Sequence, residues 1–446
     1  MTDTSNRYLA GNFAPVVGEI TTHDLRVTGT IPRELAGRFL RIGPNPLPNE
    51  DAGSYHWFTG PGMVHGVRLR DGRAEWYRRR WVRSDRVCEF SGWPEVPGPR
   101  HGIGDNTANT NVIGLAGRTF AIVEAGGLPV ELSDELETLR RSDLDGTLTG
   151  SFTAHPKRDP ATGELHAVTY YWEWDAVRYV VVGRDGRVRH SVDVALPDKP
   201  MVHDCAITER YVLIFDLPVT LDIERALSGV LFPYAWNPEH PARVGLLPRA
   251  GAADEIRWVE VEPCYVFHPL NAYDLPDGRV VVDVVRHPRM FASDLLGPNE
   301  GAPTLTRWTL DPATGRAREE CLDDRAVEFP RHDERLIGHP HRFGYTATFD
   351  ALRHGPAIKY DLAHGTAEVH DYGRDRVTLE PVFVPRAADA AEDDGWILSY
   401  VYDGTTGRSD VVILHAQDFT GAPVATIHLP DRVPFGFHGN WVPDPA

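Results

Sequence analysis

Apolar runs of about strand length alternate along this chain with turns built from glycine and a polar partner. Residues 67–69 and 74–77 flank Asp71-Gly72-Arg73, and residues 177–182 and 188–194 flank Asp185-Gly186-Arg187. Residues 261–273 and 280–285 flank Pro276-Asp277-Gly278-Arg279. Two further turns are nearly identical, Asp159-Pro160-Ala161-Thr162-Gly163 and Asp311-Pro312-Ala313-Thr314-Gly315, and Asp403-Gly404-Thr405-Thr406-Gly407 is related to them. Asp-Gly pairs accept the left-handed backbone of a tight hairpin, so these units read as hairpins in series. Only two stretches break the pattern. Residues 133–139 are expected to form a short helix opened by Ser133. Residues 221–232 place Ile223, Leu227, Val230 and Leu231 at helical spacing and run into the aromatic Phe232-Pro233-Tyr234-Ala235-Trp236.

Serial hairpins suit a sandwich, a barrel or a propeller. Length favours the propeller, because a four-stranded blade takes roughly 40–50 residues and seven blades account for most of 446. The expectation is all-β: a single seven-bladed β-propeller over residues 1–446, with a helical and loop cap over its axis that includes about 217–248. Two β-sandwich domains are the alternative. The cap either packs on the propeller or forms a lipophilic mouth in peripheral contact with a membrane.

Composition narrows the function. The formal net charge of −18 excludes a nucleic-acid backbone as partner, since no basic surface is evident. Cys88, Cys205, Cys264 and Cys321 are scattered without a C-x-x-C pair, which fits a reducing cytoplasm and neither a disulfide framework nor a thiolate zinc site. The first six residues show neither a basic region nor an apolar run, so no signal peptide is expected.

Four histidines have similar settings at the ends of apolar runs: Ala154-His155-Pro156, Val202-His203-Asp204, Phe267-His268-Pro269 and Phe437-His438-Gly439. A lone histidine beside apolar residues is usually an ordinary core or surface residue, and spacing does not single out four of 20. Shared context does, together with a propeller axis that distant blades can all reach. His339-Pro340-His341, read as loop surface, is the rival source of ligands. Four neutral imidazoles would leave a divalent ion its full charge and open positions, without selecting among Fe, Cu, Ni and Zn. Glu124, Glu328 and Glu380 lie in apolar settings where a carboxylate needs a partner. Each could accept the second N–H of a ligating imidazole.

These residues resemble the carotenoid cleavage oxygenases, a family that includes apocarotenoid and lignostilbene cleavers and the retinoid isomerohydrolase of the eye. The likeness runs from about Asn12 to Trp441 and is carried by 39–46, 55–67, 106–112, the four histidine segments and 380–385. It implies Fe(2+) held by His155, His203, His268 and His438, with Glu124, Glu328 and Glu380 orienting His203, His268 and His438. It implies O2-dependent scission of a conjugated C=C bond in a small lipophilic alkene, giving two carbonyl products, with no catalytic side chain beyond the metal ligands. Phe58 matches a residue that faces the substrate in some members. Members that cleave 4-hydroxystilbenes look to engage the phenol with a tyrosine and a lysine. The lysine position here is Val123, and no tyrosine lies between Tyr77 and Tyr170. That departure favours a carotenoid or apocarotenoid over a stilbene or isoeugenol-type alkene. A propeller that only binds a lipophilic ligand is the non-enzymatic alternative.

Overall fold

The computed structural model describes residues 6–102, 104–350 and 353–444. The hairpins form where the turn residues place them. Strands Gly62–Arg70 and Arg73–Trp81 are joined through Asp71 and Gly72, both at positive φ (52° and 74°). The two positive φ angles give the turn the twist of its flanking strands.

The architecture is all-β and propeller-like. The described strands make five sheets of four to six strands, one of eight strands and a two-stranded ribbon. The eight-stranded sheet departs from the expected series of separate four-stranded sheets. Its halves run Cys205–Ile207 to Arg257–Glu260 and Tyr265–Asp274 to Arg316–Asp323, and they meet through one parallel pair, Glu260 with Arg316.

Both chain ends are stitched into other sheets. Strand Gly439–Pro443 pairs antiparallel with Gly37–Pro44, setting Gly439 opposite Arg41. Strand Val27–Gly29 pairs with Ala425–His428. The seam is packed as well as hydrogen-bonded, because Phe39 stacks on Tyr400 with ring centroids 4.8 Å apart. Phe39, Val67, Leu398 and Ile413 share one buried cluster.

Beside the seam Gly43 and Gly436 touch. A Cβ on Gly436 would lie 2.7 Å from the Gly43 Cα. Gly436→Ala is therefore expected to destabilise the fold by about 1–3 kcal/mol through overpacking. A thermal melt unchanged from wild type would remove that argument.

The expected helix at 133–139 is not formed. These residues turn between strands Val130–Leu132 and Thr138–Arg141. The Ser133 hydroxyl accepts from the Glu135 and Glu137 N–H groups, and Leu136 takes a positive φ of 66°. In 221–232 the helix shortens to Ile223–Leu227, with Asp222 as its cap. It lies between Val219–Leu221 and Tyr234–Trp236, which form the ribbon. Ile223, Leu231 and above all Leu227, 84% accessible, are exposed here. No helix among the described residues is long and apolar enough to cross a bilayer.

Candidate metal centre and adjoining cavities

His155, His203, His268 and His438 arrive at one point from distant parts of the chain. One nitrogen of each lies within 4.8 Å of the other three, and all four side chains are buried. Local backbone explains how two of them are aimed. Strand Tyr265–Asp274 shifts register around Pro269, which has no N–H for the ladder, and the resulting bulge turns His268 inward. His438 precedes the closing strand. Its N–H donates to Thr110 O and its carbonyl accepts from the Ile42 N–H, so the seam holds it at both ends.

Three of the rings are hydrogen-bonded to glutamates. Nδ1–H of His203 donates to Glu124 Oε1 (2.8 Å), that of His268 to Glu328 Oε2 (2.7 Å) and that of His438 to Glu380 Oε1 (2.9 Å). A carboxylate accepts only, so Nδ1 carries the hydrogen and Nε2, whose lone pair is free when the ring is neutral, is left for the centre. The Nε2 atoms of His203 and His268 lie 3.4 Å apart. Two lone pairs at that distance repel rather than bond, and a cation between them would reverse the sign. The Nε2 of His155 is likewise buried without a hydrogen-bond partner. This donor set fits a divalent metal ion.

Burial, reinforced by the neighbouring imidazoles, holds His155 neutral. It also pushes His438 down to about 4 in spite of Glu380. At His268 burial acts the same way, but the Glu328 carboxylate outweighs it and raises the pKa. Burial alone would raise the Glu328 and Glu380 carboxyls. Glu328 is instead held well below the usual carboxylate range by His268 and His287, and Glu380 by Arg331 and His438.

Several partners escaped sequence reasoning. His287 Nε2 lies 2.9 Å from Glu328 Oε1. Its own His-Pro pair repeats the pattern at 155–156 and 268–269 and could have pointed to it. Arg331 donates to Glu380, to Gly439 O and to Asn440 Oδ1. His155 has no glutamate. Its nearest acid is Asp204, with Oδ2 3.9 Å from Nδ1, and Asp204 is paired with Lys157. The rival histidines stay apart from the cluster. His339 is partly exposed near Glu209, whereas the His341 side chain is enclosed near Asp283 rather than lying on the loop surface.

The cluster is a partition between two cavities. On one side a cavity of about 750 Å³ is lined by Phe58, Val123, Phe267 and Phe437 and reaches the exposed Leu227 and Leu231. His203, His268 and His438 form part of its wall. Phe58 and Val123 both line this cavity. Tyr170 and Tyr171, from just beyond the tyrosine-free stretch, line this wall too. Tyr171 lies beside His101, with ring centroids 4.7 Å apart, and its hydroxyl is buried without a partner. No lysine lines the cavity among the described residues. On the other side a cavity of about 550 Å³, more polar than the first, is walled by His155, His268 and His438. Phe329, held at a positive φ of 56° and stacked on His268, borders both.

Comparison with known proteins agrees with this geometry. The family described as Retinal pigment epithelial membrane protein matches residues 13–443. The carotenoid cleavage oxygenase of Mycobacterium tuberculosis is 46% identical over 99% of this chain and 98% of its own. The crystal structure of Pseudomonas brassicacearum lignostilbene dioxygenase superposes with a TM-score of 0.89 at 32% identity, covering 98% of each chain. That of cobalt-substituted Synechocystis apocarotenoid oxygenase gives 0.87 at 27% identity, covering 96% of this chain and 97% of its own. The chain belongs to the carotenoid cleavage oxygenase family and is an enzyme of the carotenoid-cleavage dioxygenase type.

Proposed function

We propose that this enzyme cleaves a conjugated C=C bond of a carotenoid or apocarotenoid with O2, giving two carbonyl products. His155, His203, His268 and His438 would hold Fe(2+), oriented by Glu124, Glu328 and Glu380 through their Nδ1–H groups. Iron, when bound, supplies the activation of O2 and its delivery to the alkene. The observation that carries this reading is the apolar cavity whose wall includes three of the four histidines. Phe58, Phe267 and Phe437 would grip a polyene by its faces and exclude water from the reacting bond. No side chain need act as acid or base, so the depth to which the cavity admits the chain selects the bond.

The same reading takes the chain as one propeller. The halves of the eight-stranded sheet count as two blades touching at Glu260 and Arg316, which makes seven. The segment 217–248 then serves as the cap, and exposed Ile223, Leu227 and Leu231 would rest on a membrane from which a lipophilic substrate enters. We place the enzyme in the cytoplasm.

A specific observation favours a second reading, cleavage of a stilbene or isoeugenol-type alkene. The unpartnered Tyr171 hydroxyl in the apolar wall could receive a phenol. One experiment separates the two. Iron-loaded enzyme is offered apocarotenals, a 4-hydroxystilbene and isoeugenol under labelled O2, and products are identified by mass spectrometry. Labelled aldehydes from the apocarotenals are expected. Turnover of the aryl alkenes alone, lost in Tyr171→Phe, would replace the first reading with the second.

A further inference from the structure

The polar cavity has no part in holding a lipophilic alkene, yet it reaches the same histidines. It opens at a rim where Gly117, Asp134, Glu334 and Pro443 are exposed, and it ends on His155, the one ring the apolar cavity does not touch. Near the histidines Asp204 faces Lys157 and Glu380 faces Arg331, two carboxylates against two cations, and Glu334 at the rim also pairs with Arg331. Of the other arginines on this wall, Arg38 pairs with Asp134, Arg68 with Asp444 and Arg118 with Asp145, whereas Arg158 donates to the Gly114 and Gly163 carbonyls. His332, on the same wall, leaves a buried Nε2 without a partner.

We propose that this polar cavity is the route by which a hydrated metal ion reaches the four histidines, separate from the apolar cavity that admits the substrate. The inference rests on the metal reading above and adds the direction of entry. The argument is one of solvation. A divalent ion moved from water into apolar surroundings loses far more hydration free energy than nearby imidazoles can return before it reaches them. The other route, through the apolar cavity, is walled largely by aromatic and aliphatic side chains, and its inner carboxylates Glu124 and Glu328 already accept from His203 and His268. The polar route keeps carboxylates and a free imidazole nitrogen within reach of the ion along its way. The ion can then exchange its waters one at a time for the rings of His155, His268 and His438, which wall this cavity. One consequence is that metal can enter or leave while the apolar cavity is filled.

The test follows metal uptake itself. Chelator-stripped protein is mixed anaerobically with Co2+, and the ligand-field absorption of the bound ion is followed in time to its plateau. Glu334→Trp and, as an independent plug, Pro443→Trp fill the mouth of the polar cavity. Val123→Trp fills the apolar one. Uptake at least tenfold slower in both polar-side variants, with the wild-type plateau retained and Val123→Trp at the wild-type rate, is the expected result. Wild-type rates in both polar-side variants, or slowing confined to Val123→Trp, would overturn the route and leave the metal reading standing. If wild-type protein takes up no Co2+ at all, the metal reading falls and the route with it.

Discussion

Protein carrying His268→Ala is expected to retain less than about a tenth of the iron of wild type when purified alongside it, and to cleave no substrate at detectable rate. The effect is large for two reasons. The substitution removes a ring whose Nε2 lies 3.4 Å from that of His203, so the donor set loses a member from its middle. It also deprives the buried Glu328 of its 2.7 Å partner, leaving that carboxylate to His287 and the Phe329 N–H. A buried charge that loses one of its partners is destabilising, so a lower melting temperature should accompany the loss of metal. Metal analysis with a thermal melt checks both effects. Full iron occupancy with intact turnover would refute the assignment of His268.

The second large effect is expected from Glu380→Gln, with metal affinity falling about 10–100-fold. The carboxylate accepts from His438 Nδ1–H and Arg331 through one oxygen and from the Gly439 N–H through the other. An amide of the same shape must turn an NH2 towards one of these donors. If it faces His438, the ring loses the bond that fixes its orientation. If it faces Gly439, the loop that carries His438 loosens. From sequence alone this substitution reads as a change in metal retention without a change in folding. The hydrogen bonds show that the same side chain ties down the closing strand, and a stability loss of about 1–3 kcal/mol should appear in the metal-free protein too. Competition with a chelator gives the first quantity and denaturant unfolding of stripped protein the second. Wild-type affinity would remove Glu380 from its proposed role.

The four histidines were legible because each sits where an apolar run ends, and residues of that kind in a β-rich chain are drawn to a common interior. Their glutamates were legible as carboxylates in apolar surroundings. Arg331 and His287 were not, because their partners come from distant sheets and nothing local marks the pairing, apart from the repeated His-Pro pair. The stretch 133–139 misled because a serine followed by polar residues suits a turn as well as a helix, and one helical turn is too short to form without support. Tyr171 was missed for a different reason. Absence of tyrosine from a stretch of sequence is not absence from a volume of space, and strands 170 residues into the chain can return to the same wall. The sheet count was obscured by a single parallel pair between outer strands, which leaves no pattern of its own.

The pairing of Gly439–Pro443 with Gly37–Pro44 bears on how the protein is made. His438 is set by hydrogen bonds to Thr110 and Ile42, residues from the opposite part of the chain. During synthesis strand Gly37–Pro44 must therefore wait, with one edge unpaired, until residues 439–443 have left the ribosome. Contacts of such long sequence separation form late and slowly. The waiting edge is the place where a nascent chain would pair with the wrong neighbour. Metal capture by four histidines would thus wait for residue 438, and a chain interrupted shortly before Pro434 would fail as a metalloprotein even with three of its four rings in hand.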